Sequence, residues 1–333
     1  MKNKIGIAFL AVALLFSGLV WVNGCATTIS TNTPAPAPSG TTSIEVGSGG
    51  SSTLTANTKT GVCSIVVVDQ NQNPIISTNN LNIQNIRIDV WTTTTTTQTA
   101  SVGTLTYNGG SSGSAISYAM TLDRSGSMGF VANASLETAA VAFIDNSGVS
   151  DQGAVINFSS TVKVDQGLTT DKNLLKYAAT HESVSGGLTA LFDSIGTAVS
   201  TAAAGSNTRK AVLAMTDGAE NNSTVYTSKE GVINHANTNS VPVYCIGLGL
   251  TQGGADEQDL KDIATGTGGL YYYAPGATDI VSLYNKISSA LGSSWTVNFT
   301  SPITFVTGTT YYIKITVTYE GGITDSVLFT VTL

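Results

Sequence analysis

Charge is scarce in this chain. Asp, Glu, Lys and Arg make up 11% of its 333 residues, with 14 basic side chains against 21 acidic ones. The basic residues form no cluster, which excludes the electrostatic footprint of a nucleic-acid-binding protein. Histidine is rarer still: His181 and His235 are the two present. Neither has serine and aspartate companions in a triad-like pattern, so a hydrolase would lack its base. No Walker loop, dinucleotide fingerprint or zinc spacing occurs, and the glycine-flanked run "GGLTALFDSIG" has no lysine to reach a phosphate. The chain therefore reads as a non-enzyme. Of its cysteines, Cys63 and Cys245 fall in apolar runs of different segments. A buried free thiol is the commoner fate of such residues, although an oxidising envelope would let them pair. In place of charge there is abundant Ser, Thr, Gly and Asn, a composition suited to a surface outside the cytoplasm.

The N-terminus points the same way. Lys2 and Lys4 precede an apolar run from Ile5 to about Val22, broken near its end by Ser17 and Gly18. That is the pattern of a signal peptide over residues 1–24. The tetrad Val22-Asn23-Gly24-Cys25 resembles the bacterial lipobox. The resemblance implies that Cys25 carries a lipid and tethers the protein to the bacterial cell envelope. Ala26 after it implies the outer membrane if the host is Gram-negative. An uncleaved anchor is the other reading, since about 18 apolar residues can span a bilayer. From Cys25 to Thr58 the only charged residue is Glu45, and the stretch contains "TNTPAPAPSG" and "GSGGSS". Residues 25–58 are expected to be a disordered tether that buries no core.

Three later stretches stand out. "TLDRSGSMG" holds Asp123, Ser125 and Ser127, "SGGLTALFD" holds Thr189, and "LAMTDGAEN" holds Asp217. Each lies where an apolar run meets a glycine-bearing loop, and all five side chains offer oxygen alone. Oxygen donors suit a hard divalent cation, whereas thiolate and imidazole would suit zinc. Asp123, Ser125 and Ser127 alternate, so one extended turn can aim all three at a single point.

The surrounding pattern is that of a doubly wound α/β fold with a mostly parallel sheet and helices on both faces. "AISYAMTLD" (Ala115–Asp123), "GAVINFS", "KAVLAMTDG" and "VPVYCIGLGL" read as buried strands, and "VKVDQGL" as an edge strand. Helical spacing links Leu136, Ala139, Ala140 and Phe143. It also links Leu191, Ile195, Val199 and Ala202, and Ile280, Leu283, Tyr284, Ile287 and Leu291. Ligands of such folds sit beyond the carboxyl ends of the strands, where all three loops emerge.

The five residues, in that order, resemble the metal-ion-dependent adhesion site (MIDAS) of von Willebrand factor A (VWA) domains, and the resemblance covers residues 113–292. It implies Mg²⁺ as the cofactor, with Mn²⁺ or Ca²⁺ as alternatives. Ser125, Ser127 and Thr189 would give hydroxyl oxygens to the ion. Asp123 and Asp217 would bind it directly or through water. One coordination position would stay open for a Glu or Asp carboxylate of a partner protein. The function implied is metal-dependent protein binding or adhesion, with the membrane as a second partner through the lipid anchor. The rival readings are a structural envelope protein with a permanently occupied or degenerate site, and a metal-dependent phosphatase. The phosphatase would need a general base that the motif does not supply.

Residues 59–112 and 293–333 flank that domain. "VCSIVVVD", "IRIDVW" and a C-terminal hairpin turning at Gly321-Gly322 read as strands with one apolar face. The expectation is an immunoglobulin-like β-sandwich split by the metal-site domain. Two independent β-extensions packing on its flanks are the alternative.

Overall fold

The computed structural model describes residues 41–76, 81–109, 115–250, 252–253 and 255–333. Four strands come first: β1 (Ile44–Leu54), β2 (Thr60–Asp69), β3 (Ile86–Thr92) and β4 (Gln98–Gly109). The α/β domain follows as β5 (Ile116–Asp123), α1 (Gly129–Asn146), β6 (Gln152–Phe158), β7 (Val162–Thr169), α2 (Lys172–Thr180), α3 (Leu191–Ala203) and β8 (Arg209–Thr216). It is completed by α4 (Lys229–Thr238), β9 (Val243–Leu248), α5 (Ala255–Thr267), β10 (Tyr271–Ala274) and α6 (Ile280–Gly292). The chain then adds β11 (Ser293–Thr300), β12 (Thr310–Tyr319) and β13 (Ile323–Thr332).

The domain's sheet has the order β10-β9-β8-β5-β6-β7. Every pairing is parallel except that of β7, which runs antiparallel to β6 at the edge. The sheet is buried on both faces because its strands alternate between two cores. Tyr118, Met120 and Leu122 of β5, with Leu213 and Met215 of β8, pack with α1, α2 and α6. Ala119, Val212 and Ala214 face the other way, onto α3, α4 and α5. Each fully buried aliphatic side chain contributes roughly 1.5–3 kcal/mol, so strands apolar on both faces are stable only in this central position.

The flanking strands form one antiparallel sheet of seven, ordered β1-β2-β11-β4-β3-β12-β13. Its edge strands β1 and β13 come together, so the sheet curls nearly closed around its own core of Ile65, Ile88, Trp295, Ile313 and Ile315. The two flanks thus make one module, as expected, although a single curled sheet replaces the expected pair of packed sheets. The α/β domain is inserted between β4 and β11, which are neighbours, and Gly109 and Ser293 stand opposite each other as partners.

The tether expected over residues 25–58 is overturned from Ile44 onward, where β1 begins, and residues 25–40 lie outside the described residues. The glycines read as linker have a packing role instead. The register of β1 shifts between Ser48 and Ser52, and Gly50 there adopts φ +93°. A Cβ at Gly50 would collide with the carbonyl oxygen of Lys210, so only glycine lets this bulge lie against β8. Tyr244 Oη donates to Ser48 O at 2.5 Å, Arg209 Nε to Gly49 O at 2.6 Å, and Ser48 N to Gly268 O at 2.6 Å. Residues 1–24 and Cys25 lie outside the described residues. Cys63 and Cys245 are both free and buried, one in each module's core. Among the described residues no helix is long and apolar enough to cross a membrane.

Candidate functional site

β5 runs between β6 and β8, and its last residue, Asp123, is wholly buried. Asp123 Oδ1 accepts from the Ser125 backbone N–H at 2.7 Å. Its Oδ2 accepts from the hydroxyl of Thr216, the last residue of β8, at 2.5 Å. Ser125 Oγ lies 3.1 Å from Ser127 Oγ. Ser127 Oγ in turn donates to Asp217 Oδ1 at 2.7 Å.

Thr189 arrives on a separate loop that the sequence bends back with two left-handed glycines, Gly186 at φ +70° and Gly187 at φ +80°. Gly186 N donates to Arg124 O at 2.7 Å, and Gly126 N to Gly187 O at 3.1 Å. Asn221 then grips Thr189 on both sides: its Oδ1 accepts from Thr189 N at 2.8 Å and its N donates to Thr189 O at 3.1 Å. A Cβ built on Gly218 would stand 3.4 Å from Ser127 Oγ and 3.9 Å from Thr189 Oγ1. Gly218 therefore leaves room for these hydroxyls to converge. Hydrogen bonds thus link Asp123, Ser125, Ser127 and Asp217 in series, and Thr189 Oγ1 stands on the other side of Gly218.

The electrostatics there are unfavourable to the protein alone. Burial pushes the Asp123 carboxyl up from its ordinary value, and the charge of Asp217 adds to that. Hydrogen bonds from Thr216 and Ser125 offset part of the rise. Asp217 is likewise raised by burial, with its bond to Ser127 opposing. A cation beside two such carboxylates would favour their charged forms. No three His, Cys, Asp or Glu side chains cluster among the described residues, so this is not a carboxylate cage. Two carboxylates with three hydroxyls nevertheless fit a hard, partly hydrated cation of modest charge demand.

The base nearest in sequence does not supply the missing charge. Arg124 is 1% exposed, and its guanidinium is spent elsewhere. Nη1 pairs with Glu137 at 2.9 Å, Nε donates to Asn157 Oδ1 at 2.9 Å, and Nη2 donates to Ala179 O at 2.6 Å. It fastens the first loop to α1, β6 and α2.

Sequence reasoning missed this role, and it missed two acids that shape the third loop. Glu220 accepts from the N–H groups of Phe192 at 2.8 Å, Asn222 at 2.7 Å and Ser223 at 2.6 Å. Asp193 accepts from Thr224 N at 2.8 Å, Val225 N at 3.0 Å and Tyr226 N at 2.8 Å. The loop after Asp217 is thereby wrapped around the first turn of α3. The run "DGAENNSTVY" after β8, acid and amides followed by Ser/Thr, was the available signal. The two histidines lie elsewhere. His181 stacks on Tyr177 at 4.1 Å, and His235 Nε2 meets Ser200 Oγ at 2.9 Å.

Comparison with known proteins adds the following. The von Willebrand factor type A domain profile matches residues 118–286, and no curated protein matches the chain. Among solved structures, a von Willebrand factor type A protein from Catenulispora acidiphila is similar at 11% identity, over 86% of this chain and 72% of that one, with a TM-score of 0.45. The vWF domain of the type V pili tip protein Mfa5 from Porphyromonas gingivalis matches at 13% identity, over 53% and 94%, with a TM-score of 0.45. The conserved hypothetical protein BatB from Bacteroides thetaiotaomicron matches at 18% identity, over 53% and 98%, with a TM-score of 0.42.

Proposed function

Because this chain belongs to the von Willebrand factor type A domain family, we propose that it is a metal-dependent protein-binding module of the adhesion kind. VWA domains are interaction modules, and the loops beyond β5 and β8 are where a doubly wound sheet offers a binding site. In this reading Asp123, Ser125, Ser127, Thr189 and Asp217 hold Mg²⁺, with Mn²⁺ or Ca²⁺ as substitutes. A Glu or Asp carboxylate of a partner protein completes the coordination. The ion, when bound, supplies an electrophilic point that attracts that carboxylate. The chain's own residues hold five oxygens in register for it.

One observation carries the reading. Oxygen donors from three loops far apart in sequence converge around Gly218, and both carboxylates there are pushed toward neutrality by burial. Calorimetric titration of Mg²⁺ and Mn²⁺ into wild type and Asp123→Ala tests it: binding near one equivalent, lost in the variant, is expected. Pull-down of a partner with and without chelator is the next step. A well-folded wild type that binds neither ion sinks the reading.

A second reading has one observation in its favour. The Ser127–Asp217 hydrogen bond closes the loops on each other without help, as a structural envelope protein with a degenerate site would require. A phosphatase is less well supported, because no base is identified beside the five oxygens.

Export and anchoring complete the proposal, resting on the sequence pattern of residues 1–24 and on Cys25. The mature protein should carry lipid on Cys25, and Cys25→Ser should abolish metabolic labelling by a radioactive fatty acid. Labelling that survives this substitution would exclude a Cys25 anchor.

A further inference from the structure

The outer face of the curled sheet carries a pair of rings that its core does not use. Trp91 of β3 and Tyr312 of β12 are direct cross-strand partners. Their rings stack with centroids 5.7 Å apart and planes 21° from parallel. The chain neighbours Val90, Tyr311 and Ile313 fill the core, so alternation along each strand turns Trp91 and Tyr312 outward, where both are half-buried. Trp295, by contrast, lies inside that core and donates its indole N–H to Ile75 O at 3.0 Å. Neither the Trp91 indole N–H nor the Tyr312 hydroxyl has a partner among the described residues.

The next row of the same face is charged. Asp89 stands opposite Lys314 on one side and Thr99 on the other. Its carboxylate is already taken: Arg87 Nε and Nη2 donate to it at 3.0 and 3.1 Å, and Thr99 Oγ1 at 2.8 Å. Lys314 is exposed and forms no ion pair among the described residues. Arg87 and Lys314 against Asp89 leave one positive charge in surplus beside the rings, in a chain whose net charge is −7. The other outward positions of β12 and β13 are threonine and serine, Leu328 excepted. A protein partner would call for contiguous apolar surface, and an anionic membrane for a cluster of cations. This face offers neither.

We propose that the outer face around Trp91, Tyr312 and Lys314 binds an acidic polysaccharide. A pyranose ring has the matching chemistry, with C–H groups on its faces and hydroxyls around its rim. The C–H groups pack on the uncovered part of the ring pair. The hydroxyls satisfy the indole N–H and the phenol O–H, polar tips on otherwise apolar bodies. A uronate carboxylate pairs with the Lys314 ammonium, which has no anion of its own. This site lies on the β module and needs no cation, so it stands apart from the five oxygens of the α/β domain.

The test is biolayer interferometry of the full chain over immobilised hyaluronan, alginate and polygalacturonate. Dextran is the neutral control and poly-glutamate the acidic peptide control. EDTA is present throughout, so that no sugar carboxylate binds through a divalent ion. Expected is binding to at least one of the three acidic polysaccharides and to neither control. Trp91→Ala should weaken it roughly tenfold, and Lys314→Gln about two- to fivefold. Tyr312→Phe keeps the stacked ring, and with it the sheet, and should weaken binding about two- to tenfold through the lost hydroxyl. No binding to any of the three polysaccharides overturns the proposal. So does binding that all three variants leave unchanged. Equal binding to poly-glutamate overturns recognition of a sugar, and equal binding to dextran overturns the role of Lys314.

Discussion

Ser127 Oγ and Asp217 Oδ1 stand 2.7 Å apart across ninety residues of sequence, so the loops following β5 and β8 are already joined before any ligand arrives. The same carboxylates that join them are uncomfortable as anions. That tension leads to the first prediction.

Asp123 has its folded-state pKa raised, first by burial. An acid raised in the folded state destabilises the fold in full above its folded pKa, and the penalty fades as pH falls from that value to the lower unfolded one. In EDTA at pH 7, Asp123→Asn should therefore melt at or above the wild-type temperature, with the gap closing on acidification. Addition of Mg²⁺ should raise the melting temperature of wild type alone. An Asn variant that melts well below wild type in EDTA would contradict this account.

Arg124 should behave as a fastening rather than as a ligand. Arg124→Met would strand Glu137, Asn157 and the Ala179 carbonyl and should cost about 3 kcal/mol in urea denaturation. Arg124→Lys should recover only part of that, because one ammonium cannot reproduce a planar fork. Equal stability of the Lys variant and wild type would show the fork to be dispensable.

Asp193 is the opposite case from Asp123. Burial tends to raise its pKa, yet the backbone N–H groups of Thr224, Tyr226 and Val225 together hold it below the ordinary value. Its contribution is present above the unfolded carboxylate pKa and is lost as pH falls through the lower folded value. Asp193→Ala should destabilise by about 1–2 kcal/mol at pH 7 and by less near pH 3, below the ordinary carboxylate value. The check is denaturation at both pH values; a pH-independent difference would refute the charge-based explanation.

Two left-handed glycines should differ sharply. Gly129 at φ +58° has open space around it, whereas Gly50 at φ +93° faces Lys210. Gly129→Ala should cost about 1 kcal/mol for conformation alone. Gly50→Ala should cost more, about 2–3 kcal/mol, because it also forces β1 off β8. Comparable losses from chemical denaturation would mean that the bulge is not pressed as described.

The α/β domain was legible because its strands carry uninterrupted apolar residues, a pattern that only double burial explains. "AISYAMTLD" and β5 differ by a single residue, and the positions of Asp123 and Asp217 followed from where β5 and β8 end, whereas Thr189 lies on the loop between α2 and α3. β1 was hidden because serine and glycine mean flexibility in isolation, whereas Gly50 is needed for a close backbone approach visible only in three dimensions. β4 was hidden for another reason. Much of Gln98–Gly109 is exposed or half-buried, so no one-sided apolar stripe marks it. The roles of Arg124 and Asp193 could not be assigned from spacing, since their partners are brought from elsewhere by the fold, and the same holds for the bond that Glu220 accepts from Phe192.

Insertion of the α/β domain between neighbouring strands also sets an order of events during synthesis. β2 and β3 each form one early pairing, with β1 and β4 respectively. Their other neighbours, β11 and β12, lie beyond the entire inserted domain. At a typical elongation rate that interval lasts on the order of 10–40 seconds, long enough for the inserted domain to fold first. Meanwhile the open edges of two hydrophobic strands await partners not yet made. The curled sheet is the last part of the molecule to become whole, and a growing chain is most exposed to mispairing just before β11 emerges.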